Sequence, residues 1–369
     1  MNVSENKQFR ICIVSEQLAV GGAERCSAIL SQFFQANNCA VHHVIVIDKI
    51  EYEFSGEILN LGKLKNENNN VTDRISRFKV LYQFFRKNKF DFIIDTRVRN
   101  RHWQEYLITK FVYNAPLIVM VHSYMIDLYF PKNQYLAKHI FNKSKKIITV
   151  SKAIEEKIIE KYKYNQLQTI YNPIDFDYID KKSQVEIDVD YKYFLAVGSM
   201  NTNVKQFDHL IDCYSKSDLL NWNIKILIIG EGKLKSDYEK MVLSLNLQDK
   251  IIFKGQIENP FPFYKNAICT ILTSKNEGFP TVLLESLACE TPVIAYNCLS
   301  GPSEIIINNE NGILVENQNQ QKMIEAMNEM ISNKKLYLHC KNNAKPSVEK
   351  FSIKSIGNQW LQLFNSQKK

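Results

Sequence analysis

The sequence predicts two doubly wound α/β domains, and three observations carry that expectation. Short apolar runs alternate with longer helical patterns along nearly the whole chain, as parallel strands with crossover helices require. The alternation stops once, around Tyr171-Asn172-Pro173-Ile174-Asp175, and then resumes as a second series. The length, 369 residues, exceeds one ordinary hydrophobic core and suits two.

In the first series the predicted strands are RICIVS (10–15), VHHVIVI (41–47), FDFIID (90–95), PLIVMV (116–121) and KIITVS (146–151). Helices are expected to begin near Ala23, Thr72, Arg101 and Pro131, with another after Lys152. The polar stretch DYIDKKSQVEIDVD (177–190), just beyond Pro173, suits a linker. The second series reads as strands KYFLAVG (192–198), IKILIIG (224–230), KIIFKG (250–255), AICTILT (267–273) and TPVIAY (291–296). Near the end, Ile353, Ile356, Trp360, Leu361 and Phe364 recur at helical spacing. The expected division is therefore 1–171 and 172–352, followed by a helix over 353–369.

Composition narrows the class. Hydrophobic residues at 45% and charged residues at 23% describe a globular protein. No apolar run approaches the roughly 20 residues that cross a bilayer. The polar start MNVSENKQFR leads straight into a strand and does not read as a signal peptide. Eight cysteines without a C-x-x-C pair read as reduced thiols of a cytoplasmic protein. Residues 1–171 carry 25 Lys/Arg against 16 Asp/Glu, a balance of +9, so the rest carries −1 of the total +8. The basic half points to an anionic partner, a phosphorylated acceptor or a peripheral contact with an anionic membrane; charge alone leaves nucleic acid open, and the partner expected is not nucleic acid.

Ligands of doubly wound sheets bind beyond the carboxyl ends of strands, and the candidate residues cluster there. Gly21 and Gly22 follow the first strand and open a helix, where absent Cβ atoms let a ligand approach the backbone. Asp48 ends the second strand, where a ribose-binding acid would stand in a dehydrogenase, but AVGGAER lacks the full dinucleotide fingerprint. Arg97, Arg99 and Arg101 follow the strand FDFIID as a candidate bidentate phosphate site. His122 ends the strand PLIVMV, where an imidazole can donate to a hydroxyl or move a proton. Lys205 opens the helix KQFDHLIDCY, where an ammonium adds to a helix N-terminus facing a diphosphate. His102, Asp127 and the pair His42-His43 have no metal-ligand spacing with neighbouring Cys or carboxylates, so no metal cofactor is expected.

The most informative stretch is SKNEGFPTVLLESLACETPVIAYNCLSGPSEII (274–306). Glu277 and Glu285 flank a Gly278-Phe279-Pro280-Thr281 turn between a strand and a helix. A continuous helix would set the two carboxylates about 80° apart, but Gly-Phe-Pro places Glu277 in the loop mouth and Glu285 one turn down the helix. The turn leaves backbone N–H groups of Gly278 to Thr281 free at a positive helix end, an anion site.

This segment resembles the E-x7-E region of the retaining GT-B glycosyltransferases of family GT4, and the likeness spans essentially the whole chain, strongest from Lys192 to Val315. The resemblance implies two facing Rossmann-like domains with a cleft between them, with the last helix crossing back onto the first domain. It implies that Glu277 contacts the donor sugar, that Glu285 holds the ribose, that Gly21-Gly22 approach the donor phosphate or the acceptor, and that His122 stands near the sugar. The family's VGR-loop-K-GFD pattern clamps the diphosphate with an Arg and a Lys. Here the Arg position is Ser199, which leaves Lys205 as the main cation, with Arg25 a candidate to compensate. SGPSEII resembles members that transfer hexosamines onto lipid-linked or lipopolysaccharide glycans. The implied activity is metal-independent transfer of a sugar from a nucleotide-diphosphate sugar to a glycan or lipid-linked acceptor, with the Arg97–Arg101 loop on the acceptor side. Two rivals are a nucleotide-sugar-binding protein without catalysis, suggested by Ser199, and an NAD-dependent oxidoreductase, suggested by Gly21-Gly22 and Asp48.

Overall fold

The computed structural model describes residues 9–66, 70–141 and 144–367. Most of the N-terminal stretch read as no signal peptide, and the last two residues of the expected final helix, lie outside that range. The chain divides into two compact units, Met1–Pro173 with Ile353–Lys369, and Ile174–Ser352. The expected boundary after residue 171 falls two residues short of this one.

The first unit is built on seven parallel strands: β1 (Arg10–Ser15), β2 (Ala40–Ile45), β3 (Glu57–Asn60), β4 (Phe92–Asp95), β5 (Leu117–Val121), β6 (Lys146–Thr149) and β7 (Leu167–Thr169). Their order is β3-β2-β1-β4-β5-β6-β7. The order reverses between β1 and β4, so the loops leaving these two strands diverge and open a crevice at their carboxyl ends. Helices α1 (Gly22–Ala36), α2 (Val71–Lys87), α3 (His102–Leu107), α4 (Gln134–Phe141) and α5 (Lys152–Tyr162) connect them, and a short π-helical segment, Ile108–Val112, extends α3. The five expected strands are all present. The two missed ones, β3 and β7, are edge strands of four and three residues, too short and polar to form an apolar run.

The second unit repeats the scheme with β8 (Tyr193–Val197), β9 (Lys225–Ile229), β10 (Ile251–Gly255), β11 (Cys269–Leu272), β12 (Val293–Tyr296) and β13 (Gly312–Val315), in the order β10-β9-β8-β11-β12-β13. Its switch point lies between β8 and β11. The strands are nearly continuous apolar runs because helices cover both faces: α6 (Phe176–Lys182), α7 (Phe207–Ser215), α8 (Lys235–Ser244), α9 (Phe261–Asn266), α10 (Thr281–Ala288), α11 (Pro302–Ile305), α12 (Gln320–Ser332) and α13 (Lys334–Ser347). Part of the expected linker is helical. Asp175 caps α6 by accepting from Tyr178 N at 3.0 Å, and Ile179 is buried, which outweighs the polar composition around it.

The last helix, α14 (Ile353–Ser366), packs within the first unit. Its Trp360 is fully buried, and its Phe364 stacks on Phe92 with ring centroids 4.8 Å apart and meets Phe34 at 5.4 Å. Burying two such rings contributes several kcal/mol, about 2–3 each. All eight cysteines are buried and none forms a disulfide.

Candidate active site

In the second unit, the switch point brings the loops after β8 and β11 together. Lys205 Nζ lies 2.7 Å from Glu277 Oε1, with both side chains mostly covered. The lysine stem crosses Gly198, where a Cβ would come within 3.0–3.1 Å of three of its methylenes. Backbone bonds fix the arrangement: Thr273 Oγ1 donates to the carbonyls of Lys205 (2.9 Å) and Gln206 (3.0 Å), and Lys275 N donates to Val204 O at 2.8 Å. The pair therefore rests on the ends of two adjacent strands rather than on mobile loop tips.

Gly278, Phe279 and Pro280 are buried in the turn that enters α10. No side chain caps this helix, and the Leu283 N–H turns back to Pro280 O at 3.1 Å. The SGPS loop clamps the turn: Ser300 Oγ donates to Gly278 O at 2.8 Å. Gly301 has φ +94°, and a Cβ there would overlap Pro280 Cδ, so only glycine fits. Glu285 stands one turn into α10, buried, and accepts from Tyr264 Oη at 3.1 Å. Thr273 and Tyr264 do not stand out in the sequence, and Ser300 and Gly301 were read there only as part of the SGPSEII motif; their roles depend on contacts between elements that are distant along the chain. Ser199 is exposed, and its Oγ accepts from the backbone and side-chain amides of Asn201 at 3.3 and 3.1 Å.

In the first unit, Gly21 has φ +121° and stands at the N-terminus of α1, which lacks a side-chain cap. Two carboxyls close to this loop are perturbed: desolvation raises Glu24 to about 7 and also raises Glu16. The sequence analysis did not single out either residue. His122 follows β5. Its backbone N–H donates to Tyr129 Oη at 3.2 Å, and both ring nitrogens are covered without a hydrogen-bond partner. Burial lowers its pKa to about 4, so the ring is neutral near pH 7 and keeps one donor and one acceptor unused.

The expected arginine site needs correction. Arg97 and Arg99 are buried, and both guanidiniums are engaged by Asp95, although the Arg99 Nε and Nη1 atoms are covered without a hydrogen-bond partner. Arg97 meets Asp95 at 2.7 Å and Glu105 at 3.1 Å, and Arg99 meets Asp95 at 2.5 Å. Tyr113 Oη donates to Asp95 at 2.7 Å, and the two arginines hold the Asp95 carboxyl far below its ordinary value. Two buried cations beside two buried anions balance in charge, and burial keeps both guanidiniums from an acceptor in solution. Of the three, only Arg101 is exposed. The Asp48 carboxylate accepts from Asn60 Nδ2 at 2.7 Å, and the Arg25 guanidinium lies 5.0 Å from the centroid of the Tyr52 ring. Among the described residues no three His, Cys, Asp or Glu side chains gather as a metal-binding group.

Two family models match this chain and between them cover most of it: "Glycosyltransferase Family 4" over residues 20–178 and "Glycosyl transferases group 1" over 177–346. This chain belongs to the family 4 glycosyltransferases. It is therefore a transferase, and the oxidoreductase reading falls. Among its relatives is the N-acetylgalactosamine-N,N'-diacetylbacillosaminyl-diphospho-undecaprenol 4-alpha-N-acetylgalactosaminyltransferase of Campylobacter jejuni, 28% identical over 360 residues, covering 94% of this chain and 96% of that one. A second transferase of that organism, which acts on a GalNAc-containing diNAcBac-PP-undecaprenol, is 26% identical and covers 96% and 98%. Among solved structures, a glycosyltransferase from Rickettsia africae superposes with a TM-score of 0.79 at 19% identity over 98% of this chain and 99% of that one. The HepE protein of Anabaena in complex with UDP and glucose gives 0.78 at 18% identity over 97% and 100%. These likenesses show that the transferase has the GT-B fold of two parallel-sheet, Rossmann-like domains.

Proposed function

We propose that this transferase moves a sugar, an N-acetylhexosamine, from a nucleotide-diphosphate donor to a lipid-linked or glycan acceptor in surface-polysaccharide synthesis, with retention of anomeric configuration. The observation that carries the donor reading is the Lys205–Glu277 pair at the carboxyl ends of β8 and β11, beside the uncapped start of α10. A cation, a carboxylate and a helix start without a side-chain cap at one strand end suit a sugar diphosphate.

In this reading Lys205 and the backbone N–H groups on either side of Pro280 take the diphosphate, Glu277 orients the sugar and Glu285 holds the ribose. The bond from the anomeric carbon to the phosphate oxygen breaks, and the acceptor hydroxyl bonds to that carbon on the same face. The hydroxyl proton leaves with the diphosphate. Charge developing on the leaving group is what preorganised donors stabilise most. Gly21 and Gly22 approach the donor phosphate or the acceptor, Arg101 stands on the acceptor side, and the neutral His122 imidazole hydrogen-bonds a sugar hydroxyl. No metal takes part in this mechanism. The acceptor class rests on the relatives, two of which are named for undecaprenol-linked glycans. A peripheral contact with an anionic membrane accompanies it; no helix among the described residues is long and apolar enough to cross one.

The test is a thermal-shift screen of UDP- and GDP-sugars, UDP-N-acetylgalactosamine included, followed by transfer assays with and without chelator. Binding of one donor should raise the melting temperature by mass action. A flat response to every donor would remove the reading, and activity lost to chelator and restored by a divalent ion would remove its metal-free part.

A further inference from the structure

Helix α2 shows two apolar stripes, and only one of them is buried. Leu81 and Phe85 face the core. Val71, Ile75, Phe78 and Tyr82 fall within roughly 60° of arc at about 100° per residue, and all four are exposed, Ile75 at 62%. The neighbouring α3 and its π-helical extension carry a second exposed stripe, Trp103, Leu107 and Phe111, four residues apart, with Trp103 at 74% and Phe111 at 52%. The two stripes adjoin. The Arg86 guanidinium lies 4.8 Å from the Tyr82 ring centroid and donates to Phe111 O at 3.4 Å, so one side chain reaches both.

Charge on these elements is one-sided. Arg74, Lys79, Arg86, Lys87 and Lys110 are exposed around the stripes. The only carboxylates in residues 71–87 and 102–112, Asp73 and Glu105, are buried, Asp73 in a pair with Arg77 at 3.2 Å. An apolar, aromatic face ringed by cations with every anion turned inward is not an ordinary solvated surface. Tryptophan and tyrosine beside Lys and Arg are the groups that settle at a headgroup boundary.

We propose that α2 and the α3–π-helical segment form one docking face for an anionic lipid surface, with the two apolar stripes at headgroup depth and the surrounding cations against lipid phosphates. A second copy of the chain suits this face less well, since it would set these cations against their own kind. The inference deepens the lipid-linked-acceptor reading and rests on it only for its biological sense, because the assay below contains neither donor nor acceptor.

The experiment is co-sedimentation of the full chain with vesicles of phosphatidylglycerol and phosphatidylcholine, and with phosphatidylcholine alone. Binding is expected to the anionic vesicles, weakened at least ten-fold without phosphatidylglycerol or at about 1 M salt. Trp103→Ser with Phe111→Ser, and separately Arg74→Glu with Lys79→Glu, should each weaken it at least ten-fold while melting temperature and donor-induced stabilisation stay unchanged. Failure of the wild-type chain to bind anionic vesicles, or undiminished binding by both folded variants, would overturn the proposal. So would conversion of a dimer to a monomer by Trp103→Ser/Phe111→Ser, which would assign the face to a second copy. Donor-induced stabilisation without vesicle binding would sink this proposal and leave the transferase reading standing.

Discussion

Lys205 Nζ and Glu277 Oε1 lie 2.7 Å apart, joining the ends of two neighbouring strands through one ion pair 72 residues apart in sequence. Each group neutralises the other until a ligand carrying both anionic phosphate and sugar hydroxyls can engage the two separately. Glu277→Ala should lower transfer at least 100-fold, the scale of losing a group that acts on the reacting sugar, while the melting temperature moves by a few degrees at most. Near-normal turnover in a folded Glu277→Ala protein would remove its role at the donor.

Ser199 occupies the place of an expected arginine and bonds only to Asn201 among the contacts described. Ser199→Arg should tighten nucleoside-diphosphate binding several-fold by restoring a second cation near Lys205, and Lys205→Ala should weaken it about ten-fold or more. Titration calorimetry with UDP or GDP reads both. Affinity unchanged in both variants would place the diphosphate elsewhere.

Tyr264 reaches Glu285 from α9 and fixes the carboxylate at the depth where a ribose would meet it. Removing this buried bond in Tyr264→Phe should cost about 1 kcal/mol, a factor near five to ten in donor affinity. A 2'- or 3'-deoxyribose donor should lose less than the natural one, because the misplaced carboxylate no longer rewards the missing hydroxyl. Equal losses on both donors would make Tyr264 a packing residue only.

Burial lowers both His122 and His43 to about 4 from the ordinary value of 6.5. Between those values the unfolded chain binds protons that the folded one refuses, so each histidine contributes stability above pH 6.5 that is lost as pH falls toward 4. Glu24, raised to about 7, acts in the opposite direction over an overlapping range, with the folded state the better proton acceptor. The difference between proteins isolates one group. His43→Phe, beside Phe54, should lessen the fall in melting temperature between pH 7.5 and 5, by up to about 2 kcal/mol of linked stability. Parallel curves for the two proteins would show that His43 is not held neutral.

Much of this was legible locally. Ten of the thirteen strands stand out as apolar runs because both faces of a parallel sheet are covered, and Glu277, Lys205 and His122 declare themselves by following such runs. Gly-Phe-Pro placed Glu277 in a loop and Glu285 on a helix, and α10 indeed begins at Thr281. The edge strands β3 and β7 were missed because EILN and LQT are polar at half or more of their positions within polar surroundings, and β13 because GILV stands alone between polar stretches.

What the chain alone could not decide was which charges are spent. Arg97, Arg99 and Arg101 look alike in sequence, an alternating basic loop at a strand end. Only folding brings Glu105 onto Arg97 and Tyr113 onto Asp95 and buries two of the three guanidiniums in a neutral cluster. The same holds for Ser300 and Gly301, which act by touching Gly278 and Pro280 across about twenty residues of chain. Sequence determines the periodicity and the turn chemistry, because those are properties of neighbours along the backbone. Whether a charged side chain is a ligand-binding group or a core residue depends on desolvation and on partners from other elements, and these exist only once the chain is packed.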